Sequence, residues 1–295
     1  MILAKAKGAG GLSMTAGLIL IGLGPSGISN MTRAAISAAT QADIRLYEAY
    51  TALWSESALA QLEDEIGEIT KVMRPEVEEP SRMLSLAKEK SVALLVVGDP
   101  LQATTHVDLQ LQAQEAGVDC EIIHGISITG LVTGAVGLSN YKFGRQTTLT
   151  YPYGGWIATS PLEVIALNRI QGLHTLCLLD LDPTGAGTGN QKPMQPEDAQ
   201  TAIMAMAKKL EDSIDEDIND SNLQRLKFEA SQKIIAELDD LDVVICTDMG
   251  GKNQSISYLP LKNLHMCETG GLHCLVIPAK LSEVEQKALI RWTKQ

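Results

Sequence analysis

An unbroken apolar run, Val92-Ala-Leu-Leu-Val-Val97, stops abruptly at Gly98-Asp99-Pro100, and that junction constrains the fold more than any other stretch of the chain. Six apolar residues without alternation describe a strand buried on both faces, as in a parallel sheet covered by helices on either side. Glycine frees the backbone at the end of the run and proline removes a donor, so the chain turns sharply there. Open α/β sheets bind their ligands beyond the carboxyl ends of such strands. Asp99 is therefore expected at a cleft, where its carboxylate can accept hydrogen bonds from a ligand's hydroxyls or amine. A helix cap, with a helix starting near Leu101, is the commoner use of an aspartate in this setting, and both readings stand at this point.

The same strand-then-glycine pattern occurs twice more in the first half. Leu18-Ile-Leu-Ile21 runs into Gly22-Leu-Gly24-Pro25-Ser-Gly27, a helix is expected from about Thr32, and Ile44-Arg-Leu-Tyr47 forms a strand ending at Glu48. This matches the G-x-G-x-x-G fingerprint of dinucleotide folds with its later acid. Pro25 and the polar Ser29-Asn-Met-Thr32 lengthen the turn, however, so the helix does not open inside the motif. A nucleotide- or NAD-dependent enzyme using Glu48 is the alternative this motif offers. Helical patterns cover 55–65 and 80–90 around a short strand at 72–73, and a helix after the Gly-Asp-Pro loop runs to about Ala116. The strand 118–123 ends at His124-Gly-Ile-Ser-Ile128. Such βα alternation implies a mostly parallel sheet with right-handed crossovers. Three strand ends, at 22–27, 98–105 and 125–130, are then predicted to converge on one cleft.

Beyond Gly137 the texture changes. Strands are expected at 147–151, 175–181, 242–247 and 272–277, with helices at 161–171, 196–210 and 221–238 and from Ser282 onward. The fold class is α/β: an N-terminal α/β domain over 15–125 and a C-terminal α/β domain over 126–295, with a ligand cleft between them. Residues 1–14 read as a loose tail, and Met14 is itself a candidate start. Lys5 and Lys7 precede a charge-free stretch, but glycines interrupt it before Leu18, which argues against a signal peptide.

Composition narrows the function classes. A formal charge of -12 leaves no excess of Lys and Arg for phosphates, which argues against an unassisted nucleic-acid binder. Aromatics make up only 4% of the residues, too few for base-stacking platforms. The acidic runs at 63–65, 76–79 and 211–220 read as solvated faces or loops. Cysteines 120, 177, 246, 267 and 274 show no C-x-x-C spacing, so neither a disulfide framework nor a zinc site is indicated. Reduced thiols fit a cytoplasmic protein. No run reaches the length of a membrane span. The histidines at 106, 124, 174, 265 and 273 lack metal-ligand spacing, and each taken alone is more often structural than catalytic.

A resemblance is carried by a collinear series of segments: Ile21-Gly-Leu-Gly24, Glu48-Ala-Tyr-Thr51, Gly98-Asp-Pro-Leu-Gln-Ala-Thr-Thr-His106, Ile123-His124 with Ser127-Ile128, Tyr141-Lys-Phe-Gly144, Tyr151-Pro with Gly155-Trp156 and Thr159-Ser-Pro161, Gly172-Leu-His-Thr-Leu176 with Leu179-Asp180, and His273 with Ile277-Pro-Ala-Lys-Leu281. On these segments the chain resembles the tetrapyrrole methylase family of S-adenosylmethionine-dependent methyltransferases. Thr104-Thr-His106, Tyr141 to Gly144 and Gly172 to Leu176 resemble its diphthine branch rather than its corrin-ring branch.

The resemblance implies two α/β domains with S-adenosylmethionine folded into the cleft between them, as a homodimer in the cytoplasm. It implies N-methylation of the aminocarboxypropyl group on a modified histidine of translation elongation factor two, to the trimethyl stage in the archaeal form of the pathway. Carried over residue by residue, the implied cofactor contacts are Pro25, Asp99, Gln102, Ser127, Ile128, Leu179, Thr247, Met249 and His273. Pro25 stands where the family has leucine, the loop 183–193 departs from the family's sequence, and no catalytic acid, base or nucleophile is nominated. Ser127 also fits a plain N-cap, and Tyr151, Tyr153 and Trp156 fit either a substrate groove or packing at the domain junction. A family methyltransferase acting on a corrin precursor and a non-catalytic binding module are the rival functions.

Overall fold

The computed structural model describes residues 15–189, 191–212 and 221–293. The tail expected at 1–14 and most of the acidic run at 211–220 lie outside the described residues. In the first half of the chain the strands are β1 (Gly17–Gly22), β2 (Ile44–Glu48), β3 (Thr70–Val72), β4 (Ser91–Val96) and β5 (Cys120–Ile123). They form one parallel sheet in the order β3-β2-β4-β1-β5. β4 is buried at every residue, as its unbroken apolar run requires. Leu18 and Leu20 of β1, with Val92, Leu94 and Val96 of β4, face one core; Ile19, Ile21, Ala93 and Leu95 face another. Helices α1 (Arg33–Gln41) and α2 (Glu56–Ile66) cover one face, and α3 (Arg74–Glu78), α4 (Ser81–Ala87) and α5 (His106–Glu115) the other. Thr32 and Ser55 cap α1 and α2 by accepting a backbone N–H three residues on.

α1 begins at Arg33, after a 3-10 turn at Ile28–Asn30, so the glycine motif does not open a helix as a dinucleotide fingerprint must, which agrees with the sequence reading. One helix start departs from it. α5 begins at His106 rather than near Leu101. The cause is local: Asp99 Oδ1 accepts the Leu101 N–H, Thr104 Oγ1 donates to the Pro100 carbonyl, and Ala103 sits at φ 58, a left-handed conformation no right-handed helix can contain.

After β5 the chain enters α6 (Ile128–Ala135), which packs Val132, and Val136 just past its end, against a second sheet. That sheet comprises β6 (Thr147–Leu149), β7 (Thr175–Leu179), β8 (Asp242–Thr247), β9 (Ser255–Pro260) and β10 (His273–Ile277), ordered β6-β7-β10-β8-β9. Only β6 and β7 are parallel; the other pairings are antiparallel. The edge strand β9 has no counterpart in the sequence reading. Helices α7 (Ser160–Ile170), α8 (Pro196–Asp212) and α9 (Asn222–Ala236) cover one face, while α6 and α10 (Glu283–Ile290) cover the other. No helix among the described residues is long and apolar enough to cross a membrane.

Glu285 ties α10 to the second sheet. It is buried and accepts from Lys142 Nζ at 2.6 Å, His174 Nε2 at 3.1 Å, the Ser139 N–H and the Ser282 N–H. His174 Nδ1 in turn accepts the Ala279 N–H. Lys142 and His174 belong to two of the three segments that resemble the diphthine branch, and in the fold they meet on one carboxylate.

Candidate functional site

The order β4-β1-β5 places three glycine-bearing strand ends side by side. Gly24 and Gly98 exchange backbone hydrogen bonds of 3.0 and 2.9 Å. A Cβ on Gly22 would lie 2.8 Å from the Gly98 carbonyl oxygen and closer still to Gly125 N, and one on Gly125 would overlap the same carbonyl. Only hydrogen fits at this junction, which explains glycine at both positions. The loops of β1, β4 and β5 therefore do converge.

Asp99 sits in the middle of them, 6% exposed. Its Oδ1 accepts the Leu101 N–H; its Oδ2 accepts the Gly125 N–H at 3.2 Å and the Nδ1–H of His124 at 2.8 Å. Both oxygens are engaged by the protein, so Asp99 shapes the β4 loop and locks it to β5. Ser127 caps α6 by accepting the Thr129 N–H. Gln102 Oε1 lies 3.5 Å from Thr129 Oγ1, which joins the β4 loop to the start of α6 and places Gln102, Ser127 and Ile128 together.

The second sheet supplies a facing wall. Gly250, after β8, approaches so closely that a Cβ there would lie 2.9 Å from Pro25 Cγ and 3.0 Å from Asn30 Oδ1; one on Gly251 would lie 2.7 Å from Ser26 Oγ. Gly250 and Gly251, just after β8, are thus seated on the turn that follows β1, against Pro25, Ser26 and Asn30. Thr247 Oγ1 and His273 Nδ1 are 2.9 Å apart across the β8–β10 pairing. Burial pushes the His273 pKa down against the upward pull of Asp248 and the Gly270 backbone, leaving a neutral ring whose buried Nε2 has no hydrogen-bond partner. Met249 and Leu179 are buried in the second lobe's two apolar clusters, Leu179 one residue past the Leu178–Cys274 pair. A further link runs from the loop after β7: Arg74 N–H donates to the Gly187 carbonyl and Gln191 Nε2 to the Ala49 carbonyl. Tyr151 and Tyr153 both hydrogen bond around Asp180 at the base of that loop.

Three residues at this junction lay outside the set read from sequence. Asn30 has a buried Oδ1 without a partner, Asp248 has φ 46 and accepts the Leu272 N–H, and His124 carries the Asp99 contact. Asn30 lies in the polar stretch that lengthens the first glycine turn, the one signal in the sequence that could have marked it. Among the described residues, no cluster of three His, Cys, Asp or Glu could hold a metal ion.

Comparison with known proteins agrees with this architecture. Residues 17–265 match the model of the tetrapyrrole (corrin/porphyrin) methylases. The chain is 32% identical to diphthine synthase of Methanocaldococcus jannaschii over 92% of its own length and 97% of the relative's. It is 39% identical to diphthine synthase of Methanocella arvoryzae, over 56% of its own length and 65% of that protein's. A crystal structure of diphthine synthase superposes with a TM-score of 0.75 at 30% identity, covering 94% of this chain and 95% of the other. A match of this extent, on a fold whose strand ends meet as described, shows that the chain belongs to the tetrapyrrole (corrin/porphyrin) methylases and, among them, to the diphthine synthases.

Proposed function

We propose that the chain transfers methyl groups from S-adenosylmethionine to the amine of the aminocarboxypropyl group on the modified histidine of translation elongation factor two, as far as the trimethyl product. The observation that carries this reading is the junction of Gly22, Gly98 and Gly125 opposite the Thr247–Gly250 loop. There Gly22 and Gly125 pack the strand ends together through backbone contacts, and Gly98 has open space where a side chain would stand, so backbone can approach a ligand closely. The chemistry of the junction fits an adenosyl sulfonium. His273 Nε2 and Asn30 Oδ1 are buried and unpaired, so they are free to serve a ligand's polar edge, and Met249 and Leu179 bring apolar surface. Pro25, Asp99, Gln102, Ser127, Ile128, Leu179, Thr247, Met249 and His273 are the residues assigned to hold the cofactor. Asp99 acts there through the loop it shapes.

The cofactor, when bound, supplies an activated methyl group on sulfur. The chain's own work is then to hold the acceptor amine in line with that methyl and to keep water away. Near-attack positioning is worth on the order of 7–11 kcal/mol. The two lobes, 15–125 and 126–295, divide that work between the glycine junction and the facing loop. A translation factor as substrate places the reaction in the cytoplasm, where the five free thiols stay reduced. A homodimer is part of the same reading: Tyr141 and Val284, 91% and 76% exposed, flank the Lys142–Glu285 pair and are apolar surface that a second copy would cover.

The test is incubation of the chain with methyl-labelled S-adenosylmethionine and elongation factor two bearing the aminocarboxypropyl histidine. Label on the factor, rising to three methyl groups by mass, is expected. A factor left unlabelled while a corrin precursor takes up label would overturn the assignment.

A further inference from the structure

The Asp99–His124 contact has the form of a base held by an orienting carboxylate. His124 follows β5 directly and precedes Gly125, so it stands on the rim of the glycine junction. Its Nδ1 faces Asp99 Oδ2 at 2.8 Å, and the Asp99 side chain is only 7% exposed. A carboxylate already accepting the Leu101 and Gly125 N–H groups can only accept, so Nδ1 carries a proton, and in the neutral ring the lone pair is on Nε2. Among the described residues Nε2 makes no hydrogen bond, and the imidazole is 68% exposed. The ring is thus anchored at one nitrogen by a buried group and open at the other. An imidazole used only to pack would be buried, as His174 is.

N-methylation creates a need for such a group. An ammonium has no lone pair, and each transfer converts the acceptor back into an ammonium that must lose a proton before the next. We propose that His124 is a catalytic base of the methyl-transfer reaction, with Asp99 as its positioning residue. This rests on the reading above, in which the β4 loop and the start of α6 hold the cofactor and an amine is the acceptor. In each cycle one proton leaves the acceptor ammonium for His124 Nε2. The freed nitrogen lone pair forms the bond to the methyl carbon while the carbon–sulfur bond breaks, leaving its electron pair on sulfur and cancelling the sulfonium charge. His124 then gives its proton to water, which its exposure permits, and the lone pair on Nε2 is restored. Three cycles pass three protons through one side chain.

The experiment compares wild type with His124→Ala and Asp99→Asn. With labelled S-adenosylmethionine and the modified elongation factor, His124→Ala is expected to lose about 100-fold in rate, within the range of general-base catalysis. Added imidazole should restore a substantial part of that rate and should leave the wild type unchanged. Calorimetry should find S-adenosylmethionine affinity within about twofold of wild type in His124→Ala, because the exposed ring is not among the groups assigned to the cofactor. In the ligand-free protein, nitrogen NMR should find His124 protonated at Nδ1, and Asp99→Asn should shift that tautomer. A wild-type chain that labels nothing overturns the functional reading. A wild type that labels the factor, with His124→Ala equally fast or slow but indifferent to imidazole, overturns the base alone. So does Nδ1 found without its proton.

Discussion

His106 Nε2 lies 3.3 Å from Glu48 Oε2, with the two side chains 1% and 0% exposed. The other ring nitrogen, Nδ1, donates to the Pro100 carbonyl at 2.9 Å. The end of β2 thereby braces the β4 loop through a single imidazole, and Glu48 is a strut rather than the ribose-binding acid of a dinucleotide fold. Burial raises the Glu48 pKa, outweighing the nearby His106, Thr51 and Arg74, which favour its charged form. A carboxyl whose folded pKa is raised stabilises fully below its unfolded pKa and loses that contribution as pH rises toward the folded value. Glu48→Gln, which still offers a donor to Nε2, should therefore gain on wild type as pH climbs above about 4.3. Glu48→Leu should cost about 1–3 kcal/mol below about pH 4.3, because it removes the buried group that faces His106 Nε2 at 3.3 Å, and that cost should shrink as pH rises. Urea unfolding of the three proteins from pH 4 to 8 checks both; equal pH slopes for wild type and Glu48→Gln would remove the strut.

Gly125→Ala tests the glycine junction. The added Cβ would meet the Gly98 carbonyl oxygen and the Gly22 Cα at 2.9 Å, and these are backbone atoms of adjacent strands with no rotamer to yield. Overpacking of this kind costs about 1–3 kcal/mol, and the strand ends must also move apart. Thermal melting should fall, and S-adenosylmethionine affinity by calorimetry should fall further than the same loss of stability introduced at Gly117, whose Cβ would meet open space on the far side of α5. Equal losses at the two positions would mean that the junction is not part of the cleft.

What could be read from the sequence followed from how strongly each element is buried. β4 announces itself because all its residues are buried, and the three glycine loops were expected to meet because adjacent parallel strands end on the same edge. β9, at the edge of the second sheet, is largely half-buried with a single fully buried residue, Ser257, so it offers no apolar run. α3 is five residues long and hidden in an acidic run. The start of α5 depends on a left-handed Ala103, a conformation no propensity scale anticipates. A cleft between the two domains was expected, but the second lobe's residues in it came from resemblance alone, since Gly250 meets Pro25 across more than two hundred residues of sequence. The partner of Asp99, twenty-five positions away, was equally invisible until the strands were paired.

The Glu285 cluster should govern acid stability. Its carboxyl is buried, which by itself raises the pKa, but hydrogen bonds from Lys142, Ser282, Ser139 and His174 outweigh that and hold it well below the usual carboxylate range. His174 is lowered as well, chiefly by burial. Both folded pKa values lie below the unfolded ones, so both contributions are present above the unfolded pKa and are lost as pH falls. That loss begins below about 6.5 for His174 and about 4.3 for Glu285. Glu285→Ala should destabilise by about 1–3 kcal/mol at pH 7 and flatten the decline in melting temperature below pH 4. An unchanged acid slope would assign the decline to other carboxylates.

The Thr247–His273 pair gives the cleanest separation of binding from folding. Thr247 Oγ1 holds His273 Nδ1 at 2.9 Å, and that bond sets the direction of the unpaired Nε2. Thr247→Val keeps the shape of the side chain at the end of β8 but removes the hydroxyl, so the ring is free to turn. The expected loss is about 1 kcal/mol of S-adenosylmethionine binding, or roughly fivefold in affinity. Since Thr247 is only half-buried at the strand end, melting should shift little. His273→Leu should weaken binding at least as much, and combining it with Thr247→Val should add nothing further, because the hydroxyl acts only through the ring. Additive losses in calorimetry would mean that Thr247 and His273 meet the cofactor separately, and the bond between them would lose its assigned role.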